Sequence, residues 1–568
     1  MDSGRFLLAV ILMIAVVVLT NILFPPVPRR STPAPTDSAA QTQPAPPAAT
    51  QQPVDTPPAA TPPPPAAGSQ VNADTTPAVA ARSDTIVVES PLFRYGISTN
   101  GAMIVSAELL NWKSFTREGP VQLAPRSPRG LLSYRLLLNN QTVDLSTLHF
   151  TPTTRHLRLQ PGTAPQQLRL VHNSAAVGTI EVVYEFTADN YLADVSVAVP
   201  GNQSATRVQL NFGPQLAINE ARTQEDEHAL AYVVNSQTQG IRSYPLRTVK
   251  TDRIDEGPLD WVALKNKYFV MAAIIDEGNA AKPFGGVVAQ PGPRAHTADV
   301  TASLPAEGNA TFNYRLYLGP QEFDRLNAIG HKFQDVNPYG WRVFRPIIRP
   351  LGHFITWVLL GMHKVFGLSY GWILILFGIV IRLLMWPLNA KAMRSQLKNM
   401  ELQPRMKELQ TKYKTEPEKL QREMLKLYKE EGFNPMGGCL PMLIPFPVLI
   451  TLFFVFQSTI QFRGVPFLWL PDLSQPDPIY VLPIVLGATM FFQQWLSMKT
   501  MPPNPQMKFM LWFMPLFMVL IFFNLASGLN LYYAAQNVPG FFQQMQLTKE
   551  RERYQREKGK VVAVGKAK

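Results

Sequence analysis

The chain has 568 residues, a formal net charge of +13, 52 prolines and one cysteine. A single cysteine excludes an intramolecular disulfide, so any extracytoplasmic part must be stable without cross-links. The basic balance suits nucleic acid or an anionic membrane surface, but no common DNA- or RNA-binding motif is present, and Lys and Arg gather beside apolar runs, as in the loops of membrane proteins.

Residues 1–5 lead into the apolar run 6–24 (FLLAVILMIAVVVLTNILF). It is long enough to span a bilayer and lacks the small-residue site of a cleaved signal peptide. An uncleaved anchor is expected, with cleavage as the alternative. Residues 25–82 are mostly Pro, Ala, Thr and Gln and read as an extended tether.

From residue 83 to 330 the pattern has period two, as in residues 180–186 (IEVVYEF), 195–199 (VSVAV) and 312–318 (FNYRLYL). Gly, Pro and Asn clusters separate these runs, which predicts one all-β domain of half-buried antiparallel strands. Residues 339–366 mix aromatic and aliphatic residues with Arg342, Arg345, Arg349, His353 and Lys364. They suit a helix lying in the membrane interface; a connector packed on the β domain is the alternative.

Spans are expected at 370–388, 436–460, 479–498, 507–524 and 528–545. With the anchor they number six transmembrane helices, which places both termini on one side. Residues 389–437 carry eleven Lys/Arg against seven Asp/Glu, and residues 548–568 carry eight against three. The opposite loop, 461–478, holds only Arg463 as a base, beside Asp472 and Asp477. The positive-inside rule therefore puts the helical hairpin 389–435 and the tail 546–568 in the cytoplasm and the β domain in the periplasm.

Within the hairpin, Met393, Leu397 and Met400 form one apolar stripe, Met406, Leu409 and Tyr413 another, and Leu420, Met424, Leu427 and Tyr428 a third. Thr415 and Glu418 have the spacing of a capping box. The cations Arg394, Lys398, Arg405, Lys407, Lys412 and Lys414 offer a docking surface for ribosomes, targeting factors or emerging substrate. A coiled coil whose charges are merely solvated fits the same pattern. Cys439 opens an apolar run and reads as a packing residue.

Arg382 is the one cation inside the apolar run 371–388. Holding a guanidinium there costs at least ~2.5–3.5 kcal/mol on insertion scales, and it does not escape by deprotonation. No predicted span contains an Asp or Glu to pair with it. It either snorkels to the headgroups or lines a wet groove open to the cytoplasm. Tyr533, Gln536 and Asn537 share one face of the last span and are candidates for the same groove; interhelical hydrogen bonds are the alternative for each. Pro441, Pro445, Pro447, Pro483 and Pro515 predict bent helices. No metal-ligand cluster, nucleophile elbow or phosphate-binding loop is legible, and no cofactor is expected.

Arg382-Leu-Leu-Met-Trp-Pro-Leu388, Asn434-Pro-Met-Gly-Gly-Cys-Leu-Pro441 and Ser527-Gly-Leu-Asn-Leu-Tyr-Tyr533 resemble motifs of the YidC family of membrane protein insertases. The order of segments is similar too, over essentially the whole chain. The resemblance implies a periplasmic β-supersandwich domain and a five-helix core. It implies a groove that receives nascent membrane proteins, with Arg382 and Tyr533 lining it. It also implies action alone or beside the SecYEG translocon, in contact with membrane lipids. Gly378 and Pro445 stand where some members carry polar residues, so those two positions are not carried over. A small-solute transporter and a membrane-anchored periplasmic binding module are the competing functions; the first leaves the amphipathic hairpin unexplained, and the second predicts that residues 85–326 suffice for function.

Overall fold

The computed structural model describes residues 84–565 except 126–129, 139–140, 176–177, 200–204, 276–281, 307–309, 341–343, 388–404, 407, 410, 414–415, 431–444 and 499–504. The expected anchor and tether, Cys439, Thr415 and the cations Arg394, Lys398, Lys407 and Lys414 lie outside the described residues.

Alternation of apolar and polar residues builds the β domain. In the strand Gly178–Phe186, Ile180, Val182, Tyr184 and Phe186 are buried while their neighbours are partly exposed. The central strand Phe269–Ile275 is buried almost throughout, because the sheet is covered on both faces there. One sheet has five strands and another has fourteen among the described residues. The strand His156–Arg158 joins the small sheet in parallel beside Thr85–Glu89.

The large sheet curls back on itself. The strands Ser133–Leu138 and Gly178–Phe186 stand near opposite ends of its order. Yet the Tyr134 hydroxyl is 2.6 Å from that of Tyr184 and 2.8 Å from that of Tyr314. Tyr184 donates its one proton to the Ala102 carbonyl at 2.9 Å, so Tyr134 donates to Tyr184, and Tyr314 to Tyr134. This satisfied chain crosses the core and reaches the turn of the small sheet.

Two short helices, α1 (Thr223–Ala229) and α2 (Phe323–Ile329), belong to the β domain. The helical part comprises α3 (Arg345–Phe366), α4 (Tyr370–Leu384), α5 (Pro417–Glu430), α6 (Pro445–Ser458), α7 (Val481–Met498), α8 (Pro505–Phe522) and α9 (Ser527–Gly565). Gly367 ends α3 in the left-handed region, at φ 64°, and its N–H donates to the His363 carbonyl at 2.9 Å. The chain then turns by 119° into α4.

No single described helix is long and apolar enough to cross a membrane; α3 and α4 meet that test only as a bent pair. The 15 residues of α4 cover about 22 Å, short of a bilayer core of about 30 Å. The charged tail expected after residue 545 continues as helix to Gly565. Its Lys, Arg, Glu and Gln residues all favour helix, so the end of the apolar run is not a helix boundary.

A second core joins the helices. Ile373, Leu374 and Phe377 of α4 meet Leu452, Val455 and Phe456 of α6, Leu482 and Leu486 of α7, and Leu529 and Tyr532 of α9. Outward-facing side chains are apolar as well: Trp512 is 70% exposed, Leu516 62% and Leu384 65%. A solvated surface so apolar and so continuous is a lipid- or partner-facing one.

Candidate polar seam between two helices

α4 and α9 run parallel. A side chain at Gly528 would meet Leu374 at 3.2 Å, one at Gly378 the Tyr532 carbonyl oxygen at 2.9 Å, and one at Gly540 the Arg382 guanidinium at 2.8 Å. Small residues are what let the backbones approach this closely. Both helices start at the end of the bundle that carries the β domain, because Ser527 and Gly528 donate to the Gln475 and Leu473 carbonyls in the loop beneath that domain.

Arg382 lies at the far end of this contact. Its guanidinium rests on the backbone of Gly540, 3.0 Å from Cζ to where a Cβ would stand. Its Nε is buried and has no hydrogen-bond partner, and no carboxylate pairs with it among the described residues. On α9 the residues Tyr532, Gln536, Gly540 and Gln543 recur on one face. Gln536 Nε2 donates to the Tyr532 hydroxyl at 3.3 Å, and Gln543 Nε2 to the Trp386 carbonyl at 3.4 Å. Arg382, Tyr532, Gln536 and Gln543 thus make a polar seam along the α4–α9 contact.

Tyr533 and Asn537 turn to the other neighbours of α9. The Tyr533 ring meets Phe522 of α8 edge-on at 5.3 Å, and its hydroxyl is buried without a partner. Asn537 Nδ2 donates to Thr489 Oγ1 of α7 at 2.8 Å, and its carbonyl accepts from Gln493 Nε2 at 3.1 Å. The sequence grouped Tyr533, Gln536 and Asn537; the structure divides them between two faces. Tyr532, Gly540 and Gln543 were missed. The available signal was the four-residue step from Tyr532 through Gln536 to Gly540.

Of the expected docking cations, Arg405 and Lys412 are described and both are exposed; Lys412 Nζ sits 5.4 Å over the Tyr413 ring. On α5, Leu427 is buried and Leu420, Met424 and Tyr428 are partly so.

The end opposite Arg382 is closed by a buried joint with the β domain. Ile460, in the turn after α6, is fully buried in the β-domain core. Arg463 follows it and pairs with Glu220 at 2.8 Å, with only 2% and 1% of the two side chains exposed. The guanidinium also covers the Phe115 ring at 4.4 Å. Burial pushes the Glu220 carboxyl up to about 7, with Arg463 pulling the other way. Burial likewise raises Asp226, against hydrogen bonds from the Lys267 and Asn219 amides, and takes Lys265 down to about 8. Glu225 is lowered against its burial by Lys267 and Arg222. Asp335 anchors α3 through Arg349 at 3.3 Å, and the His353 ring lies 3.0 Å from its other oxygen.

Comparison with known proteins covers both parts. The family described as 60Kd inner membrane protein matches residues 361–555, and the YidC periplasmic domain matches residues 85–353. The membrane protein insertase YidC of Chlorobaculum parvum is 32% identical, over 81% of this chain and 81% of its own length. That of Chlorobium phaeovibrioides is 32% identical, over 84% of this chain and 88% of its own. A crystal structure of an active YidC insertase with its first transmembrane domain resolved is 17% identical, covering 81% of this chain and 94% of that one, with a TM-score of 0.32.

Proposed function

The chain belongs to the YidC family of membrane protein insertases and is itself an inner-membrane insertase with a periplasmic β domain; from that premise we propose that the α4–α9 seam receives the polar flank of an incoming hydrophobic segment. The work is non-covalent, and neither a solute transporter nor a binding module is needed to account for the fold.

The observation that carries the reading is Arg382: a half-buried guanidinium with a buried, unpartnered Nε and no carboxylate beside it among the described residues. A permanent cation in that setting attracts acidic residues of a flank and lowers their cost of leaving water. The membrane potential adds about 2.3 kcal/mol per negative charge per 100 mV in the outward direction. The apolar part of the segment then moves into lipid, at about 25 cal/mol per Å² removed from water. The apolar cluster that includes Phe377, Phe456 and Leu486 lies toward the other end of the seam, which supports a polar space open to one side only.

In this reading six helices span the membrane, the β domain is periplasmic, and the hairpin, tail and both termini are cytoplasmic. The parallel run of α4 and α9 away from the β domain supports that sidedness. Nascent membrane proteins are the substrates. The SecYEG translocon, ribosomes and targeting factors are partners, the last two through the basic hairpin.

A photoreactive amino acid in place of Gln536 tests this. During synthesis of a small inner-membrane protein with an acidic flank, the expected adduct is with that flank, and it disappears once synthesis is complete. Adducts with lipid alone would reject the seam as the receiving site.

A further inference from the structure

The β domain holds a second polar site that the insertase reading does not use. A cavity of about 350 Å³ lies between the segment 246–250 and the loop 291–297. None of its eleven lining residues is acidic, and Arg247, Lys250, Arg294 and His296 are among them. Leu246 and Val249 are buried and make an apolar floor, while the three permanent cations are exposed at the rim. The loop is held in shape by Gly292 N–H on the Thr297 carbonyl at 3.0 Å and Thr297 Oγ1 on the Arg294 carbonyl at 2.8 Å. His296 sits at φ 66°, and its Nδ1 is buried without a hydrogen-bond partner.

We propose that this cavity binds a phosphate-bearing anion, the headgroup of an outer-leaflet phospholipid. Cations over an apolar floor match a ligand with a charged head and an apolar stem. The His228 ring of α1 stands 5.9 Å from that of His296. Burial first, then Arg247 and His296, lower the His228 pKa, outweighing Glu227 and Glu225; Glu225 is already engaged by Arg222 and Lys267, and Asp252 by Gln290.

Position favours a lipid over a soluble anion. Arg222 Nη1 donates to the carbonyl of Asn524, in the turn between α8 and α9, at 3.4 Å. From Arg222 the helix α1 reaches His228 within about 9 Å. Arg222, α1 and the His228–His296 pair thus connect the turn between α8 and α9 to the cavity, on the periplasmic side in the sidedness proposed above.

The test is calorimetric titration of the full chain in neutral detergent. The probes are dioctanoyl phosphatidylglycerol, dioctanoyl phosphatidylcholine, inorganic phosphate and polyglutamate. Saturable phosphatidylglycerol binding is expected, stronger than that of either the zwitterionic lipid or phosphate alone, with phosphate competing. The Arg247→Gln/Arg294→Gln variant should bind about tenfold more weakly, with an unchanged melting temperature because both side chains are exposed. Equal binding of inorganic phosphate and the lipid would overturn the lipid assignment. Preference for polyglutamate, or wild-type affinity in the variant, would overturn the site. No insertion step enters the measurement, so its failure would leave the insertase reading standing.

Discussion

Glu220 and Arg463 meet at 2.8 Å although 243 positions separate them, and both are almost wholly buried. One comes from the β domain and the other from the turn after α6, so the pair fastens the two parts of the molecule together. Two charges withdrawn from water are held by each other, with the Phe115 and Phe269 rings at 4.4 and 5.5 Å covering the guanidinium.

Removing Glu220 leaves the Arg463 cation buried and alone, and removing Arg463 leaves the Glu220 carboxyl buried without its donor. Glu220→Ala or Arg463→Ala should each destabilise the joint by about 3–5 kcal/mol, while the double variant should lose less than the sum. Denaturation in detergent, read together with protease sensitivity between residues 336 and 345, checks this. Additive losses would show that the two groups do not act as a pair.

The same pair sets a pH dependence. In the folded chain the Glu220 carboxyl is raised from 4.5 to about 7, first by burial. Between those values the folded state holds a proton that the unfolded state has released. The stability this group contributes is therefore full below about pH 4.5 and is lost as pH rises through 7. Glu220→Gln should flatten the fall in melting temperature across that window. A residual slope from Asp226, which is raised as well, is expected to remain. An unaltered profile in the variant would assign the slope elsewhere.

For Arg382 the expected outcome depends on charge rather than on shape. Arg382→Ala should impair insertion of substrates with acidic translocated flanks, and Arg382→Lys should largely preserve it, because the lysine keeps the cation. An in vivo insertion assay comparing acidic and neutral flanks measures this. Equal activity of the alanine variant and the wild type on every substrate would reject the role.

Two glycines of the seam should respond differently to the same substitution. At Gly540 the atom in the way is the tip of the Arg382 side chain, 2.8 Å from an added Cβ. Gly540→Ala should therefore fold, gain up to about 1 kcal/mol of helix propensity, and still insert poorly because the guanidinium is displaced. At Gly378 the obstacle is the Tyr532 backbone carbonyl at 2.9 Å. Gly378→Ala forces α4 and α9 apart, at a cost of about 1–3 kcal/mol. Melting temperature and insertion activity, measured side by side, separate the two cases.

Much of this was legible in the amino-acid order. The period-two runs marked the β domain because alternate side chains must face alternate sides of a sheet. The lone cation at Arg382 stood out because an apolar helix has no internal means of neutralising it. Those are local signals, carried within a few residues. The stripe on α5 was equally visible, since Leu420, Met424 and Leu427 are neighbours on a helix.

The partners of those residues were not legible, because contact across helices depends on rotation about the helix axis and on how closely the backbones pack. That is why Tyr533 and Asn537 turned toward α7 and α8 while Tyr532 and Gly540 met α4, though all four share one helix. Chain order alone determined that a membrane-facing core, a β domain and an isolated cation exist in this protein. Only the tertiary structure decided that the cation rests on a glycine backbone, and that Glu220 finds Arg463, since burial brings together groups whose spacing in the chain carries no trace of their meeting.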